Sequence, residues 1–392
     1  MSFKLNDQQE AAVYKALNWY YLESHKRQLF VVGGLAGTGK STCLRSIIEA
    51  IGLSTNSVLY CALTGKAVSV LRMKGHMANT IHRSFYNAKP YKNSVFFSKK
   101  QLIPKNIKLI VIDEFGMVGD SLTNDILSFG VPVIALGDPG QLPPVFEKNT
   151  FIENEENLDV FLDKVMRTDD TSGILTLAMI ARNKKPILPG NYGFSRALEL
   201  GTQIKPMLDY NKVLCWTNKT RKHLNSHIRE QLGITSKYPV KGEKVMFLGN
   251  RYDKSIEYLG IELCIVNGME CEVIEDSTIE NDYQINIKAR PMFVDDNDIY
   301  FDVTCNRRIF DGYTEFVPDL KTLRIDDIES ERDSVFCDFA WAATTTSSQG
   351  SEWADVLVID EMPKYRPEYS RWIYTAITRA ACSVDILIDQ QH

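Results

Sequence analysis

The chain has 392 residues, of which 44% are apolar and 24% charged, with a formal net charge of −5. That balance fits a globular protein of two or three domains and argues against disorder on a large scale. No run approaches the ~18 apolar residues of a membrane span, and the opening Met1-Ser2-Phe3-Lys4-Leu5-Asn6-Asp7 has no apolar signal-peptide core. A cytoplasmic protein with no membrane partner is therefore expected. The eight cysteines form no C-x-x-C pair, which argues against a zinc site or a disulfide frame. His223 and His227, without acidic or Cys partners nearby, read as solvated helix residues rather than metal ligands.

In chain order, the turn Leu5-Asn6-Asp7-Gln8-Gln9-Glu10 before Ala11, Ala12, Ala16 and Leu17 predicts a capped amphipathic helix. Residues 28–32 read as a short buried strand and residues 42–50 as a helix. Between them, Gly34-Leu35-Ala36-Gly37-Thr38-Gly39-Lys40-Ser41-Thr42 fits the phosphate-loop pattern G-x-x-x-x-G-K-S/T at every fixed position. Glycines let the backbone close around phosphate oxygens, with amide N–H groups and a helix N-terminus facing the negative charge. Lys40 is expected to reach the β/γ-phosphates and Ser41 to hold Mg²⁺, so the chain is expected to bind ATP.

A second strand at 57–63 runs into Thr64-Gly65-Lys66 and a helix from Ala67 to about Met73. From Asn79 to Ile112 there is no acidic residue, while Arg83, Lys89, Lys92, Lys99, Lys100, Lys105 and Lys108 all fall there. Such a segment attracts phosphates, whereas the acidic stretch 270–333 repels them; a solvated basic loop is the plainer alternative. A third strand, from 107, ends in Asp113-Glu114, the usual partners of a phosphate loop, Asp113 for Mg²⁺ and Glu114 for the attacking water. A fourth, from 131, ends in Gly137-Asp138-Pro139-Gly140-Gln141, where Gln141 can sense a γ-phosphate or its water.

Strands alternating with helices argue for a parallel sheet covered on both faces, with ligands at the strands' C-terminal ends. A second α/β run follows: helices at 174–182 and 219–232, a strand at 212–217, and later strands at 354–360 and 382–389 around a helix at 370–379. Between them, residues 240–335 alternate in the β manner and read as an inserted β domain. Arg167 falls at the boundary between the α/β halves and Arg379 closes Tyr374-Thr375-Ala376-Ile377-Thr378-Arg379. An arginine meeting a γ-phosphate from a neighbouring domain can be worth roughly 10³–10⁵ in rate, although position alone favours ordinary surface or salt-bridge arginines.

Taken together, these segments resemble superfamily-one DNA helicases of the RecD/Dda type. The ordered set is Leu5-Asn6-Asp7-Gln8-Gln9, the phosphate loop, Ala62-Leu63-Thr64-Gly65-Lys66-Ala67, Thr80-Ile81-His82, Asp113-Glu114-Phe115-Gly116-Met117, Gly137 to Pro144, Arg167, Ser348-Gln349-Gly350-Ser351-Glu352 and Tyr374 to Arg379. The resemblance runs over nearly the whole chain. It implies an α/β fold of two RecA-like P-loop motor domains, residues 1–168 and then 169–243 with 336–392. It also implies a small pin insertion near 84–106 and an SH3-like β insertion at 244–335.

By the same resemblance, Gln9 and Glu352 join Gly34, Gly37, Thr38, Gly39, Lys40, Ser41 and Thr42 at the nucleotide, with Gln141, Arg167 and Arg379 around the γ-phosphate. Thr64, Lys66, Thr80, His82, Thr344 and Thr346 would touch single-stranded DNA, and Phe97, with Val95 and Phe96, would form the tip of the pin. The implied activity is ATP-driven 5′→3′ translocation and unwinding of forked duplex by a monomer, with a single-strand-binding or replication protein as a further candidate partner. An RNA helicase, a protein-displacing translocase and a nucleotide-switched DNA-binding subunit are the alternatives. One departure stands out: where relatives carry Thr-x-His-Lys-Ser-Gln-Gly, this chain has Thr344-Thr345-Thr346-Ser347-Ser348-Gln349-Gly350. Hydroxyls replace a His and a Lys there, so the segment can still hydrogen-bond phosphates but loses a positive charge.

Overall fold

The computed structural model describes residues 5–91, 94–144, 147–165, 170–311 and 334–388. The first α/β unit holds helices α1 (Asp7–Asn18), α2 (Lys40–Ile51), α3 (Gly65–Met73), α4 (Ile81–Phe85) and α5 (Asp120–Leu127). Its strands are β1 (Leu29–Gly34), β2 (Val58–Ala62) and β3 (Ala78–Thr80), then the hairpin β4 (Tyr86–Tyr91) and β5 (Ser94–Lys99), then β6 (Leu109–Ile112), β7 (Val133–Gly137) and β8 (Val160–Leu162). All but the hairpin pair in parallel, in the order β3-β2-β6-β7-β1-β8. The cause is visible in the sequence of β6: Leu109, Ile110, Val111 and Ile112 are all fully buried, an unbroken apolar run that needs cover on both faces. One face packs Phe30, Val32 and Tyr60 against Ile47 of α2 and Trp19, which follows α1. The other packs Ile110 and Ile112 against Phe85, Phe115 and Ile126.

A second, mostly parallel sheet follows the same logic. It contains β9 (Gly190–Tyr192), β10 (Ser195–Glu199) and β11 (Lys212–Cys215), flanked by α6 (Ile174–Arg182) and α7 (Asn218–Gln231).

Between α7 and the rest of that sheet comes an antiparallel unit of β12 (Lys244–Phe247), β13 (Arg251–Tyr258), β14 (Ile261–Ile265), β15 (Glu270–Val273), β16 (Thr278–Ile279), β17 (Gln284–Pro291), β18 (Phe301–Asn306) and β19 (Cys337–Phe339). Its β17 alternates buried and half-buried residues along its length, the signature of a sheet with one covered face. The chain then returns through β20 (Ala342–Thr344), β21 (Trp353–Asp360), α8 (Tyr369–Ile377) and β22 (Ala380–Ile388), giving the order β20-β11-β21-β22-β10-β9.

The α/β reading with two parallel-sheet units is borne out. One boundary differs. Residues 337–339, assigned from sequence to the second α/β unit, pair with β12 in the inserted sheet, Val245 opposite Phe339 and Phe247 opposite Cys337. A three-residue strand has no periodicity of its own; the buried pairing decides where it goes. All eight cysteines are free. Among the described residues no helix is long and apolar enough to cross a membrane.

A buried ionic cluster joins the three units. Lys212, 1% exposed, sets its Nζ 2.9 Å from Glu270 Oε2 and donates to the Ala340 carbonyl at 2.5 Å. Glu270 Oε1 lies 3.5 Å from Lys66 Nζ of α3, and both ammonium groups sit over the Trp353 ring. Burial pushes the Glu270 carboxyl up, but Lys212 and Lys66 outweigh it and hold the group below its ordinary value.

Removing one partner of a buried pair leaves the other charge stranded, so Glu270→Ala is expected to cost about 3–5 kcal/mol in urea unfolding at neutral pH. Because the native pKa is depressed, that contribution is present above the ordinary glutamate value of 4.5 and is lost as pH falls through the native one. The gap between wild type and variant should therefore close on acidification.

Candidate functional site

The phosphate loop leaves β1 at Gly34 and enters α2 at Lys40. Gly37 and Gly39 hold φ of 77° and 75°, a left-handed backbone that favours glycine. At Gly34 a Cβ would lie 2.8 Å from the Leu162 carbonyl oxygen and 2.9 Å from Thr38 Oγ1, so no side chain fits. Thr38 is buried and its Oγ1 donates to the Leu35 carbonyl at 2.9 Å. Lys40 Nζ folds back to donate to the carbonyls of Gly34 and Leu35, both at 2.9 Å. Burial draws the Lys40 ammonium below its ordinary pKa, against the pull of Asp138, Glu114 and Asp113. Ser41, next to it in the first turn of α2, is exposed, and Thr42 is half-buried.

Gln9 sits behind this loop rather than in front of it. Its Oε1 accepts from the Asn6 N–H at 3.1 Å to close the capping box of α1, and its Nε2 donates to the Thr38 carbonyl at 3.1 Å. The side chain thus ties α1 to the loop.

At the end of β6, Asp113 Oδ1 accepts from the Glu114 N–H at 2.9 Å, and Glu114 holds φ of 52°. For a residue with a Cβ this left-handed backbone costs about 1–2 kcal/mol. Burial raises the pKa of both carboxyls; Arg379 pulls that of Glu114 back, and the Glu114 N–H and Lys40 that of Asp113. Arg379 itself is 5% exposed and, among the described residues, donates to neutral oxygens: the carbonyls of Thr375 and Ser351 at 3.1 Å and Thr378 Oγ1 at 3.3 Å. Lys40, Ser41, Asp113, Glu114, Gln141 and Arg379 line one cleft of about 430 Å³ between the two α/β units, and Gly37 and Glu352 line it too. Arg167 lies outside the described residues.

Two contacts here had no separate signal in the sequence. Arg182, at the end of α6, sets Nη1 2.9 Å from Asp138 Oδ1 and Nη2 2.7 Å from Glu155 Oε1. Tyr374 of α8 donates its hydroxyl to Asp138 Oδ2 at 2.6 Å. An arginine closing a helix reads from sequence as an ordinary charge near the helix C-terminus.

The residues expected to meet nucleic acid each have a local partner or setting in the structure. Thr64 and Thr80 N-cap α3 and α4, accepting from Ala67 and Arg83 N–H groups at 3.3 and 3.2 Å. Lys66 is paired with Glu270. Thr344 is buried, donating to Ser347 Oγ at 3.0 Å, while Thr346 is exposed and lines a second cleft with Leu63, Pro143 and Gln349. His82 packs on Phe97 at 5.0 Å and on Tyr86 at 5.7 Å. Burial lowers the His82 pKa, so its imidazole is neutral at pH 7. Phe97 is 44% exposed on β5; the Val95 and Phe96 side chains lie outside the described residues.

Parts of the chain match known proteins. Residues 4–191 match a family model described as an AAA domain, and residues 339–385 one described as a UvrD-like helicase C-terminal domain. The chain is 29% identical over 250 residues to the ATP-dependent DNA helicase dda of Enterobacteria phage T4, covering 56% of each protein. It is 35% identical over 126 residues to the ATP-dependent RecD2 DNA helicase of Deinococcus radiodurans, covering 30% of this chain and 16% of that one. In fold it resembles a solved structure of two coordinating Pif1 helicases at forked double-stranded DNA, with a TM-score of 0.58 and 18% identity over 99% of this chain and 94% of that one. In sequence the chain resembles superfamily-one DNA helicases of the Dda and RecD2 kind, and in fold it resembles Pif1 helicases. The resemblance seen in the sequence is borne out, and the match to the first of these relatives spans about half its length.

Glu114 offers a test of strain at the site. Glu114→Gly relieves the left-handed backbone and removes a buried carboxyl, at some cost in chain entropy, and is expected to raise stability by about 1 kcal/mol in urea unfolding. A loss of stability would show that the Glu114 side chain holds its surroundings together.

Proposed function

We propose that the protein is an ATP-dependent DNA helicase that moves 5′→3′ on single-stranded DNA and unwinds forked duplex. The observation that carries this reading is the shared cleft, where Lys40 and Glu114 of the first α/β unit face Arg379 of the second. A site split between two units opens and closes with its ligand, which is what a motor requires. The names of the matched relatives, two of them ATP-dependent DNA helicases, support DNA as the track.

In this reading ATP lies in the cleft with its phosphates on the loop of Gly34 to Thr42, and Lys40 leaves the loop carbonyls for the β/γ-phosphates. Ser41 and Asp113 would hold Mg²⁺. Both supply oxygen, as that hard cation prefers, and no cluster of three His, Cys, Asp or Glu able to form an all-protein cage occurs among the described residues. When bound, Mg²⁺ neutralises charge on the phosphates. Glu114 takes the proton of the attacking water; its raised pKa suits it to that task. Gln141 orients the water, and Arg379, with Arg167, meets charge building on the γ-phosphate. Glu352 and Gln9 complete the nucleotide side, Gln9 by fixing the loop.

In this reading residues 1–168 form the first motor domain, and 169–243 with the chain from Ala340 onward the second. The hairpin β4–β5 serves as the pin near 84–106, and the antiparallel unit is an SH3-like cover for the strand. DNA would cross both motor domains past Thr64, Thr80, His82, Thr344 and Thr346. Lys66 joins this path once Glu270 releases it, and neutral His82 contributes by stacking or hydrogen bonding rather than by charge. The protein works in the cytoplasm.

Duplexes with a 5′ or a 3′ single-stranded tail decide the matter. The 5′-tailed substrate should be unwound with ATP, the 3′-tailed one should not, and Lys40→Ala should abolish the activity. Equal unwinding of both tails overturns the polarity, and an active Lys40→Ala protein overturns the ATP motor. Unwinding of RNA in preference to DNA reassigns the track.

Stacking of one base on an aromatic ring is worth about 1–3 kcal/mol. Phe97→Ala should accordingly slow unwinding about tenfold while translocation on single strands, followed by displacement of a dye-labelled end, continues. An equal fall in both rates makes Phe97 a packing residue for His82 and Tyr86.

A further inference from the structure

We propose that Tyr374 and Arg182 are positioning residues that couple the triphosphate cleft to the second α/β unit through Asp138. The proposal rests on the nucleotide-driven reading above and extends it to residues that reading does not use.

Asp138 follows β7 and is 4% exposed. Its carboxylate is met three times: by the Gly140 N–H at 2.9 Å, by Arg182 Nη1 at 2.9 Å and by the Tyr374 hydroxyl at 2.6 Å. The first partner belongs to its own loop; the other two come from α6 and α8 of the second unit. Tyr374 also lines the triphosphate cleft beside Leu35, Ala36 and Gly37 of the phosphate loop. The phenol therefore joins the loop bearing Gln141 to the helix leading to Arg379, at the edge of that cleft.

The far side of that second loop is also held from the second unit. Thr375 Oγ1 accepts from the Leu142 N–H at 2.9 Å, and Gln349 Nε2 donates to the Leu142 carbonyl at 3.1 Å. Gln141 thus lies between Asp138 and Leu142, both fastened to α8. Arg379 is fixed to the same helix through the Thr375 carbonyl. A shift of α8 moves Arg379 and the Gln141 loop together.

Arg182 braces this arrangement from α6. Its guanidinium lies over the rings of Phe161 and Tyr374, 5.5 and 5.6 Å from their centroids, while its fork spans Asp138 and Glu155 of the first unit. Burial beside Asp138 keeps the Tyr374 hydroxyl protonated, so it remains a donor to that carboxylate.

The cleft is where this joint meets the ligand. Asp138, Gln141, Tyr374 and Arg379 line it together with Lys40, so a triphosphate seated there meets the fastened loop and the helix at once. The nucleotide then draws on both units, while Asp138 and Arg182 keep the joint in register.

The test is the effect of nucleotide on DNA affinity. Single-stranded DNA binding is measured by fluorescence anisotropy with and without a non-hydrolysable ATP analogue, and the ratio of the two dissociation constants is taken for each protein. Allosteric ratios run from about 5 to 150. Tyr374→Phe and Arg182→Gln should each bring the wild-type ratio down about fivefold or abolish it, and Arg182→Lys, which keeps a cation against Asp138, should restore part of it. Loss of packing alone would lower both affinities without moving the ratio. Ratios in Tyr374→Phe and Arg182→Gln within about twofold of wild type would overturn the relay and leave the motor reading intact. A wild-type ratio of one would overturn both. If Tyr374→Phe fails to fold, as a thermal melt will show, the two Arg182 variants decide.

Discussion

A charge taken out of water is stabilised by an opposite charge beside it, and in this protein such a partner comes repeatedly from another part of the chain. Asp138 of the first α/β unit is met by Arg182 of the second. Glu270 of the antiparallel unit is met by Lys212 of the second and Lys66 of the first. Asp338 of the antiparallel unit is met by Arg221 of α7 at 2.8 Å. Apolar seams between units would slide at little cost, because dispersion has no direction. Buried ion pairs do not slide: a displacement that breaks one strands a charge. The joints therefore favour a small number of distinct arrangements over a continuum.

The same scarcity of water shapes the cleft. Lys40, Asp113 and Glu114 all have their pKa values moved by burial, in the directions that favour neutral forms, and the remaining charges partly restore them. Groups poised in this way change protonation or partner when a polyanion enters. Lys40, resting on two loop carbonyls, is held within its own loop until a better acceptor arrives.

What could be read from sequence was whatever is local. The phosphate loop is legible because Gly37, Gly39 and Lys40 carry their geometry within a few residues, and the strand of Leu109 to Ile112 because four apolar residues in a row admit few other readings. Thr64 and Thr80, read from sequence only as nucleic-acid contacts, serve in the structure as helix caps. Partnerships across the seams were not legible. Nothing near Lys66 in the sequence points to Glu270, nor anything near Asp138 to Tyr374. Cys337 to Phe339 went to the wrong unit for the same reason, since only a partner strand some ninety residues earlier distinguishes the two homes.

The antiparallel unit has a kinetic meaning beyond its place in the architecture. It interrupts the second parallel sheet, so that β11 must find β20 across a long excursion; Cys215 and Ala343, hydrogen-bonded neighbours, are 128 residues apart in the chain. Closing so long a loop is slow while it remains a coil. Once the inserted strands have collapsed and β12 has paired with β19, the effective loop shrinks to the α7 segment on one side and two residues, Ala340 and Trp341, on the other. The topology thus favours condensation of the insertion before completion of the sheet that carries Arg379.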